Sequence, residues 1–405
     1  MYGPKVVQLG HMYHRLCKPL KTRSFFLFGP RSVGKTWLLR ELFSANSADV
    51  ITLNLLQEQL YLELLVNPER LRRYVKLGPH VRTQWIIIDE VQRIPAILNQ
   101  VHDLIEDPEY HGKLYFALIG SSARKLKRGG ADLLAGRALV NNLYPLSTFE
   151  TEQEWSLEQN LRWGSLPAVV TASSDELRAD ILRAYVSTYI KEEIKEEQIV
   201  RKLEPFIRFL EAAAQANGEL ITYSKVANAA AVESKAVARY FEILEDTLLG
   251  FFLPAYTRSA RERALTLSKF YFFDIGVTYA IEHALETNIR PNSSEWGRAF
   301  EHFIILECVR LNSYFKRDAT FSYLRTKDGA EIDLIIERSR KAPLCVEIKS
   351  SERIPETEIS KVLRISEAIP HGVPVIVYGG ETEQLASQVR IIPWRKFLAE
   401  IWLNA

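Results

Sequence analysis

One run of eight residues constrains this 405-residue chain more than anything else in it. Gly29-Pro30-Arg31-Ser32-Val33-Gly34-Lys35-Thr36 follows the apolar run Phe25-Phe26-Leu27-Phe28 and leads into Trp37-Leu38-Leu39-Arg40. A G-x-x-x-x-G-K-[ST] pattern therefore sits between a buried strand and a helix, the context a phosphate-binding loop requires. The two glycines let backbone N–H groups curl around an oxyanion, and the N-terminus of the helix adds positive potential. Lys35 can reach the β- and γ-phosphates, and Thr36 offers a hydroxyl to Mg²⁺. The pattern predicts a site for ATP and Mg²⁺ and leaves open what the nucleotide's energy does.

Downstream, Trp85-Ile86-Ile87-Ile88-Asp89-Glu90 reads as a buried strand ending on two adjacent carboxylates, a Walker B pattern. Asp89 would hold Mg²⁺ through water, and Glu90 would orient and deprotonate the attacking water. Either motif alone has a plainer reading as a glycine-containing turn or a strand that ends at solvent; found together, in order, on apolar strands, they leave that reading little room. Between and after them strands alternate with helices: 50–54 as a strand, 58–74 as a charged amphipathic helix, 95–106 as a helix and 113–120 as a strand. This alternation implies a parallel sheet with the nucleotide at its carboxyl edge. Ser121 and Ser122 follow the last strand, where a polar residue can sense the γ-phosphate; they serve equally well as a helix N-cap for Ala123-Arg124-Lys125-Leu126.

The length suggests roughly two to three domains. Hydrophobic content of 47% and charged content of 25% are those of a soluble globular protein. Net charge is +2, so a nucleic-acid surface must be a local patch. No run approaches the roughly 18 apolar residues of a membrane span, and the first residues lack a signal-peptide core, so the expectation is a cytoplasmic protein with no membrane association. Cys17, Cys308 and Cys345 are odd in number and far apart, against a disulfide framework or a thiolate metal site. His11 and His14 are close together and read as part of a solvated N-terminal segment before they read as metal ligands.

The second half of the chain changes character. Residues 175–201 are charge-dense and poor in apolar positions, as in a lid or bridging segment. From 203 to 274 three helices are expected, the third starting near Ser234 and carrying Lys235, Arg239 and Tyr240. Two apolar runs follow, joined by a segment that holds Arg258, Arg261 and Arg263. Three helices and a hairpin make a winged helix, used either to grip DNA through its third helix and basic tip or only for packing. After a linker at 287–294 comes a helix with Glu301, then strands, a helix and a strand of a separate α/β unit. In Leu344-Cys345-Val346-Glu347-Ile348-Lys349 the period of two puts Glu347 and Lys349 on one face. Asp333, on the preceding strand, can come alongside Glu347. Two carboxylates this close repel unless a cation lies between them, and hard oxygen ligands suit Mg²⁺ or Mn²⁺. Asp333 and Glu347 are the candidate ligands, Glu301 a further one, and Lys349 a positioner of the attacking water. The plain alternative is an exposed strand face with an ordinary Glu–Lys pair.

This order of elements with D and E-x-K resembles the PD-(D/E)XK nuclease fold. The whole chain resembles AAA-type ATPases of bacteria and archaea with the AAA_14 and DUF4143 architecture. Gly29-Pro30-Arg31 through Lys35-Thr36, Ile88-Asp89-Glu90-Val91-Gln92, Gly120-Ser121-Ser122, Ala135-Gly136-Arg137, Leu143-Tyr144-Pro145-Leu146-Ser147, Leu244-Glu245-Asp246-Thr247, Lys269-Phe270-Tyr271-Phe272-Phe273-Asp274, Arg325-Thr326 and Glu331-Ile332-Asp333 carry that resemblance. It implies an α/β chain with four parts: a P-loop parallel-sheet domain at 1–155, a helical lid at 156–202, a winged helix at 203–286 and a nuclease-like α/β domain at 287–405. It also implies ATP binding and hydrolysis. Several members of the wider AAA class use an asparagine as γ-phosphate sensor, where this chain has Ser121 and Ser122. Arg137 is the candidate arginine finger, supplied within the chain or by a neighbouring subunit of a homo-oligomer, with a salt bridge at a domain junction as its other reading. Two functions follow: ATP-driven action on DNA with a metal-dependent nuclease site, or a nucleotide-controlled interaction switch with a non-cleaving C-terminal module. A small-molecule kinase is a distant third.

Overall fold

The computed structural model describes residues 13–43, 49–77, 83–121, 126, 134–152, 154–190, 203–257, 266–287 and 289–403. His11, Ser122 through Lys125, the greater part of the charge-dense run after Ile190, and Arg258, Arg261 and Arg263 lie outside the described residues.

The N-terminal part is a five-stranded sheet of β1 (Ser24–Phe28), β2 (Val50–Asn54), β3 (Gln84–Asp89), β4 (Leu114–Gly120) and β5 (Ala138–Asn142), in the order β2-β3-β4-β1-β5. Every neighbouring pair is parallel. Continuous apolar strands are what a sheet buried on both faces demands. Phe25, Leu27, Trp85, Ile87, Ala117 and Ile119 enter one core, and Phe26, Phe28, Ile86, Ile88, Phe116 and Leu118 the other. The expected long helix at 58–74 divides instead into Glu58–Val66 and a 3₁₀ segment Pro68–Tyr74, because Pro68 cannot donate the hydrogen bond that would continue the first.

Helices Leu203–Gln215, Tyr223–Ala230 and Ser234–Asp246 precede an antiparallel pair, β6 (Gly250–Leu253) and β7 (Lys269–Phe272). Tyr240 faces inward, its ring 5.1 Å from Phe206 and 5.2 Å from Phe209. It is thus a core residue and not a DNA contact, whereas Lys235 and Arg239 on the same helix are exposed.

The C-terminal sheet contains β8 (Thr320–Arg325), β9 (Glu331–Arg338), β10 (Lys341–Lys349), β11 (Val373–Tyr378), β12 (Gln384–Ala386) and β13 (Val389–Pro393), ordered β12-β13-β11-β10-β9-β8. It is mixed: β8, β9 and β10 are antiparallel, while β10, β11 and β13 are parallel. Helix Ser294–Phe315 covers one face and helix Glu356–Ser366 the other.

The C-terminal part is bonded to the rest of the chain through its first helix. Helix Ser294–Phe315 is an axle shared by all three parts. Its Glu307 accepts from the Thr148 backbone N–H (2.9 Å), and its Arg310 donates to Leu146 O (3.1 Å) and Phe273 O (3.0 Å). Glu307 and Arg310 also pair with each other at 3.1 Å and are almost wholly buried. β6 moreover runs on into the C-terminal sheet, with Tyr256 N–H bonded to Tyr323 O (2.6 Å) and Tyr323 N–H to Pro254 O (3.0 Å).

Candidate functional site

The strand order sets the geometry of the nucleotide site. β4 lies between β1 and β3, so Ser121, just past β4, stands between the phosphate loop after β1 and the carboxylates after β3. Gly34 has φ 95°, in the left-handed region that glycine enters without penalty. A Cβ on Gly29 would lie 2.2 Å from Leu143 O, so the start of the loop can approach the end of β5 only as glycine. Val33 is buried, Ser32 and Thr36 are exposed, and Trp37 projects outward with the Arg40 guanidinium 5.3 Å from its ring centre. The Lys35 ammonium folds back onto its own loop, donating to Gly29 O (2.5 Å) and Pro30 O (2.9 Å).

Glu90 is a non-glycine residue at φ 59°, a conformation that costs ~1–2 kcal/mol and persists where neighbours fix it. Its N–H donates to Asp89 Oδ1 (3.1 Å), and its Oε2 accepts from Gln92 Nε2 (2.5 Å). The same Gln92 nitrogen reaches Ser121 Oγ at 3.1 Å, so one side chain ties the base candidate to the sensor candidate. Gln92 Oε1 is buried and has no hydrogen-bond partner among the described residues. Burial raises the Asp89 pKa and the Glu90 charge raises it further, against the Lys35 ammonium and the Glu90 N–H. A buried carboxylate in that condition gains from a divalent cation, and Thr36 and Asp89 supply the hard oxygens Mg²⁺ takes.

Arg137 is elsewhere. Ser24 pairs with Ala138 and Phe28 with Asn142, so Arg137 lies at the opposite end of β5 from the phosphate loop, about 15 Å along the strand. Its Nε donates to Glu106 Oε1 at 2.6 Å. A finger acting within its own chain is thereby ruled out for this arrangement, since the sheet stands between Arg137 and the nucleotide edge. The roof of the site comes from the middle part: Tyr185 donates to Arg31 O (3.2 Å), and Ile190, Thr247 and Leu249 border the same crevice as Pro30 and Ser121.

The second candidate cluster sits on the C-terminal sheet. Leu334 pairs with Val346 and Ile335 with Cys345, and the same register sets Asp333 opposite Glu347. Against β8, Leu334 and Asp333 together face Tyr323, a β-bulge that redirects the Asp333 side chain. Glu347 is 1% exposed, not on an exposed face. Its Oε1 pairs with Lys349 (2.8 Å) and Lys361 (2.7 Å), and Lys349 also meets Glu358 at 3.2 Å. Glu301 pairs with Lys269 (3.1 Å) and accepts from Tyr271 OH (2.7 Å). Burial pushes the Asp333 pKa well up, and the charges of Glu347 and Glu301 push it further. Among the described residues no group of three or more His, Cys, Asp or Glu side chains is arranged to hold a metal ion. Lys349 is thus paired with both Glu347 and Glu358.

Three residues with a hold on these sites were not singled out by sequence reasoning. Gln92 lay inside a recognised motif without a role. Arg15 is 7% exposed and donates to Val33 O (2.5 Å), Tyr144 O (2.7 Å), Glu150 (3.0 Å) and the Tyr314 hydroxyl (3.2 Å). Lys269 was read as the start of an apolar run; a lysine leading Phe270-Tyr271-Phe272-Phe273 is the one signal that it would be buried.

The parallel sheet, the glycine-lysine loop and the two strand-end carboxylates define an AAA-type P-loop domain. Residues 21–152 match the AAA_14 family, described as an AAA domain, and residues 296–397 match DUF4143, a domain of unknown function; the chain has that combined architecture. Residues 154–290 match a further domain of unknown function, DUF8612. An uncharacterized protein of Mycobacterium tuberculosis is 26% identical over 340 residues, which is 84% of this chain and 72% of that protein. An uncharacterized protein of Haemophilus influenzae is 24% identical over 304 residues, 70% of each chain. Among solved structures, the Aeropyrum pernix ORC1 protein in complex with DNA superposes with a TM-score of 0.32 at 13% identity, covering 66% of this chain and 87% of that one. Thermotoga maritima RuvB gives a TM-score of 0.29 at 14% identity, covering 62% and 84%. These superpositions are too loose to carry a structural argument. No helix among the described residues is long and apolar enough to cross a membrane.

Proposed function

We propose that this protein is a Mg²⁺-dependent ATPase whose nucleotide state is transmitted to a DNA-contacting middle part and to the C-terminal sheet. The observation that carries the reading is the meeting of Lys35, Asp89, Glu90 and Ser121 at the carboxyl edge of one parallel sheet. The loop from Gly29 to Thr36 cradles the phosphates. Lys35 leaves the carbonyls of Gly29 and Pro30 for the β- and γ-phosphates, exchanging two neutral acceptors for charged ones. Thr36 and Asp89 would hold Mg²⁺, whose charge would offset that of the phosphates. Glu90, held in place by Gln92, orients the attacking water and takes its proton.

The middle part is read as a winged helix, supported by its three helices, the β6–β7 pair and exposed Lys235 and Arg239. The C-terminal sheet is read as a nuclease-like scaffold used for binding and not for cutting; the lysines on Glu347 and Glu301 support this. An arginine finger, if Arg137 serves as one, acts in trans within a homo-oligomer. The test is ATP turnover with Mg²⁺ at low salt, with and without duplex DNA, beside Lys35→Ala. Turnover that DNA stimulates and the variant loses is the expected result. Turnover indifferent to DNA would leave the nucleotide-controlled interaction switch, whose signature is different protease sensitivity in the ATP and ADP forms.

A further inference from the structure

Arg15 lies ahead of β1 in the chain and under the phosphate loop in the fold, its side chain only 4% exposed. Its Nη1 donates to Val33 O (2.5 Å), its Nη2 to Tyr144 O (2.7 Å) and the Tyr314 hydroxyl (3.2 Å), and its Nε to Glu150 Oε1 (3.0 Å). Glu150 is itself fixed, accepting from the backbone N–H groups of Leu16 (2.6 Å) and Ser147 (2.9 Å). Burial works against the guanidinium's charge, but Glu150 and Tyr314 outweigh it and the pKa is raised. A planar fork of N–H donors is what lets one side chain hold acceptors from several segments at once.

The Val33 carbonyl needs such a partner. The helix after the loop, Lys35–Leu42, begins with Leu38 N–H on Gly34 O (3.0 Å), so the carbonyl one residue earlier lies outside the helical ladder. The peptide it belongs to runs into Gly34 at φ 95°, and glycine lets such a peptide turn over with little penalty. A trans peptide points its C=O and its N–H in opposite directions. With the Val33 carbonyl drawn down to Arg15, Gly34 N–H points to the side of the loop where Ser32 and Thr36 are exposed. A Cβ on Gly34 would stand 3.2 Å from Arg15 Nη1, so the guanidinium also packs against that residue.

We propose that Arg15 is a positioning residue for phosphate binding: by holding the Val33 carbonyl it fixes the Val33–Gly34 peptide in the orientation that offers Gly34 N–H to a phosphate oxygen. The inference rests on the phosphate-loop reading. Arg15 itself touches no phosphate, because its donors are engaged by Val33, Tyr144, Tyr314 and Glu150 on the buried side of that peptide. Turned over, the peptide would aim a carbonyl at the phosphates and replace an attraction by a repulsion. The same geometry sets the class of ligand that feels Arg15. It is the polyphosphate chain, with no part played by the base.

The experiment measures calorimetric Kd values of the full chain for ATP and for tripolyphosphate, each with Mg²⁺; the second has the phosphate chain and no base. Wild type is compared with Lys35→Ala, with Tyr314→Phe and with Arg15→Met/Glu150→Gln, which removes both members of the buried pair and leaves no uncompensated charge. The double variant should bind both ligands at least about tenfold more weakly, as for one lost hydrogen bond to a charged group, and by the same factor for each. Tyr314→Phe takes one contact from the same guanidinium and leaves the Val33 bond, so it should melt lower than wild type and keep both affinities. Should the double variant not fold, Arg15→Lys keeps a charge beside Glu150, reaches fewer of the acceptors and carries the same titrations, with weakening again expected. Equal weakening in Tyr314→Phe assigns the effect to general loosening and overturns the inference, as does weakened ATP binding with tripolyphosphate unchanged. Unchanged Kd values for both ligands also overturn it, and if Lys35→Ala still weakens both, the phosphate-loop reading stands without it. If wild type and Lys35→Ala bind both ligands alike, the phosphate-loop reading falls and the inference with it.

Discussion

The molecule contains two settings with the same ingredients, a pair of carboxylates with lysine nearby at a strand end, and they are wired in opposite ways. At the nucleotide edge, Lys35 donates to two neutral carbonyls of its own loop, and its charge holds the Asp89 pKa down against burial and Glu90. Around the C-terminal sheet, Lys269 from β7, Lys349 from β10 and Lys361 from helix Glu356–Ser366 each touch a carboxylate directly. A lysine parked on carbonyls can be taken by a triphosphate, because a charged acceptor outbids a neutral one. A lysine buried among carboxylates is already paid in full, and removing it leaves uncompensated charge. Chemistry that needs a displaceable cation therefore belongs to the first setting.

The largest effects should come from breaking the first setting. Glu90→Gln keeps the shape of the side chain and removes the base, so ATP turnover should fall by about 10²–10⁴-fold while ATP binding, read by equilibrium dialysis, is retained. Undiminished turnover would move the base to another residue. Next in size, Lys269→Met should lower the unfolding free energy by about 3–5 kcal/mol in urea, whereas Lys349→Met, more exposed at 31% and sharing Glu347 with Lys361, should cost less. Equal costs would erase the contrast between a keyed and a supported lysine. Gln92→Ala frees Glu90 and Ser121 from their common tether. Loss of one hydrogen bond to a charged group, about 1.5–3 kcal/mol, should appear as a drop in kcat of about 10–150-fold with the ATP Kd unchanged; a change in Kd alone would make Gln92 a binding residue.

The smallest effect concerns the axle helix between the two settings. His302 donates from Nε2 to Phe272 O (2.7 Å), and its Nδ1 faces the Asn217 amide (3.2 Å), so the ring is neutral; burial lowers its pKa to about 4. Glu307 is raised to about 7, by burial first, in spite of Arg310. Between its ordinary value and 7 the folded state binds more protons at Glu307 than the unfolded chain, so that group favours the fold as pH falls. His302 acts in the reverse sense between its ordinary value and 4, where the unfolded chain takes the proton and the fold loses stability in acid. Against wild type, Glu307→Gln should therefore lose stability more steeply from pH 7 to 4.5, and His302→Gln less steeply, by on the order of 2 kcal/mol each. Parallel profiles for the two variants would show that neither group titrates with folding.

What was legible in the sequence follows the same division. β1, β3 and β4 are continuous apolar runs, and the residues that chemistry needs sit within a few positions of their ends, so local pattern suffices. β5 escaped notice because Asn141 and Asn142 break its apolar character; it exists because Leu143 N–H and Phe28 O close it onto β1. The C-terminal register of Asp333 and Glu347 could be anticipated from alternation across a short turn. Lys269 could not, since its partners are 32 and 62 residues away and only tertiary packing brings them together. Tyr240 looked like a ligand contact beside two cations, but a tyrosine on the apolar stripe of a helix is claimed by the core.

Arg15 has a wider consequence. One guanidinium supports the phosphate loop at Val33 and grips Tyr314 near the end of the axle helix. The resting shape of the loop and the seating of that helix thus share one side chain, and through it the face of the C-terminal sheet covered by the helix is joined to the edge where the phosphate loop lies.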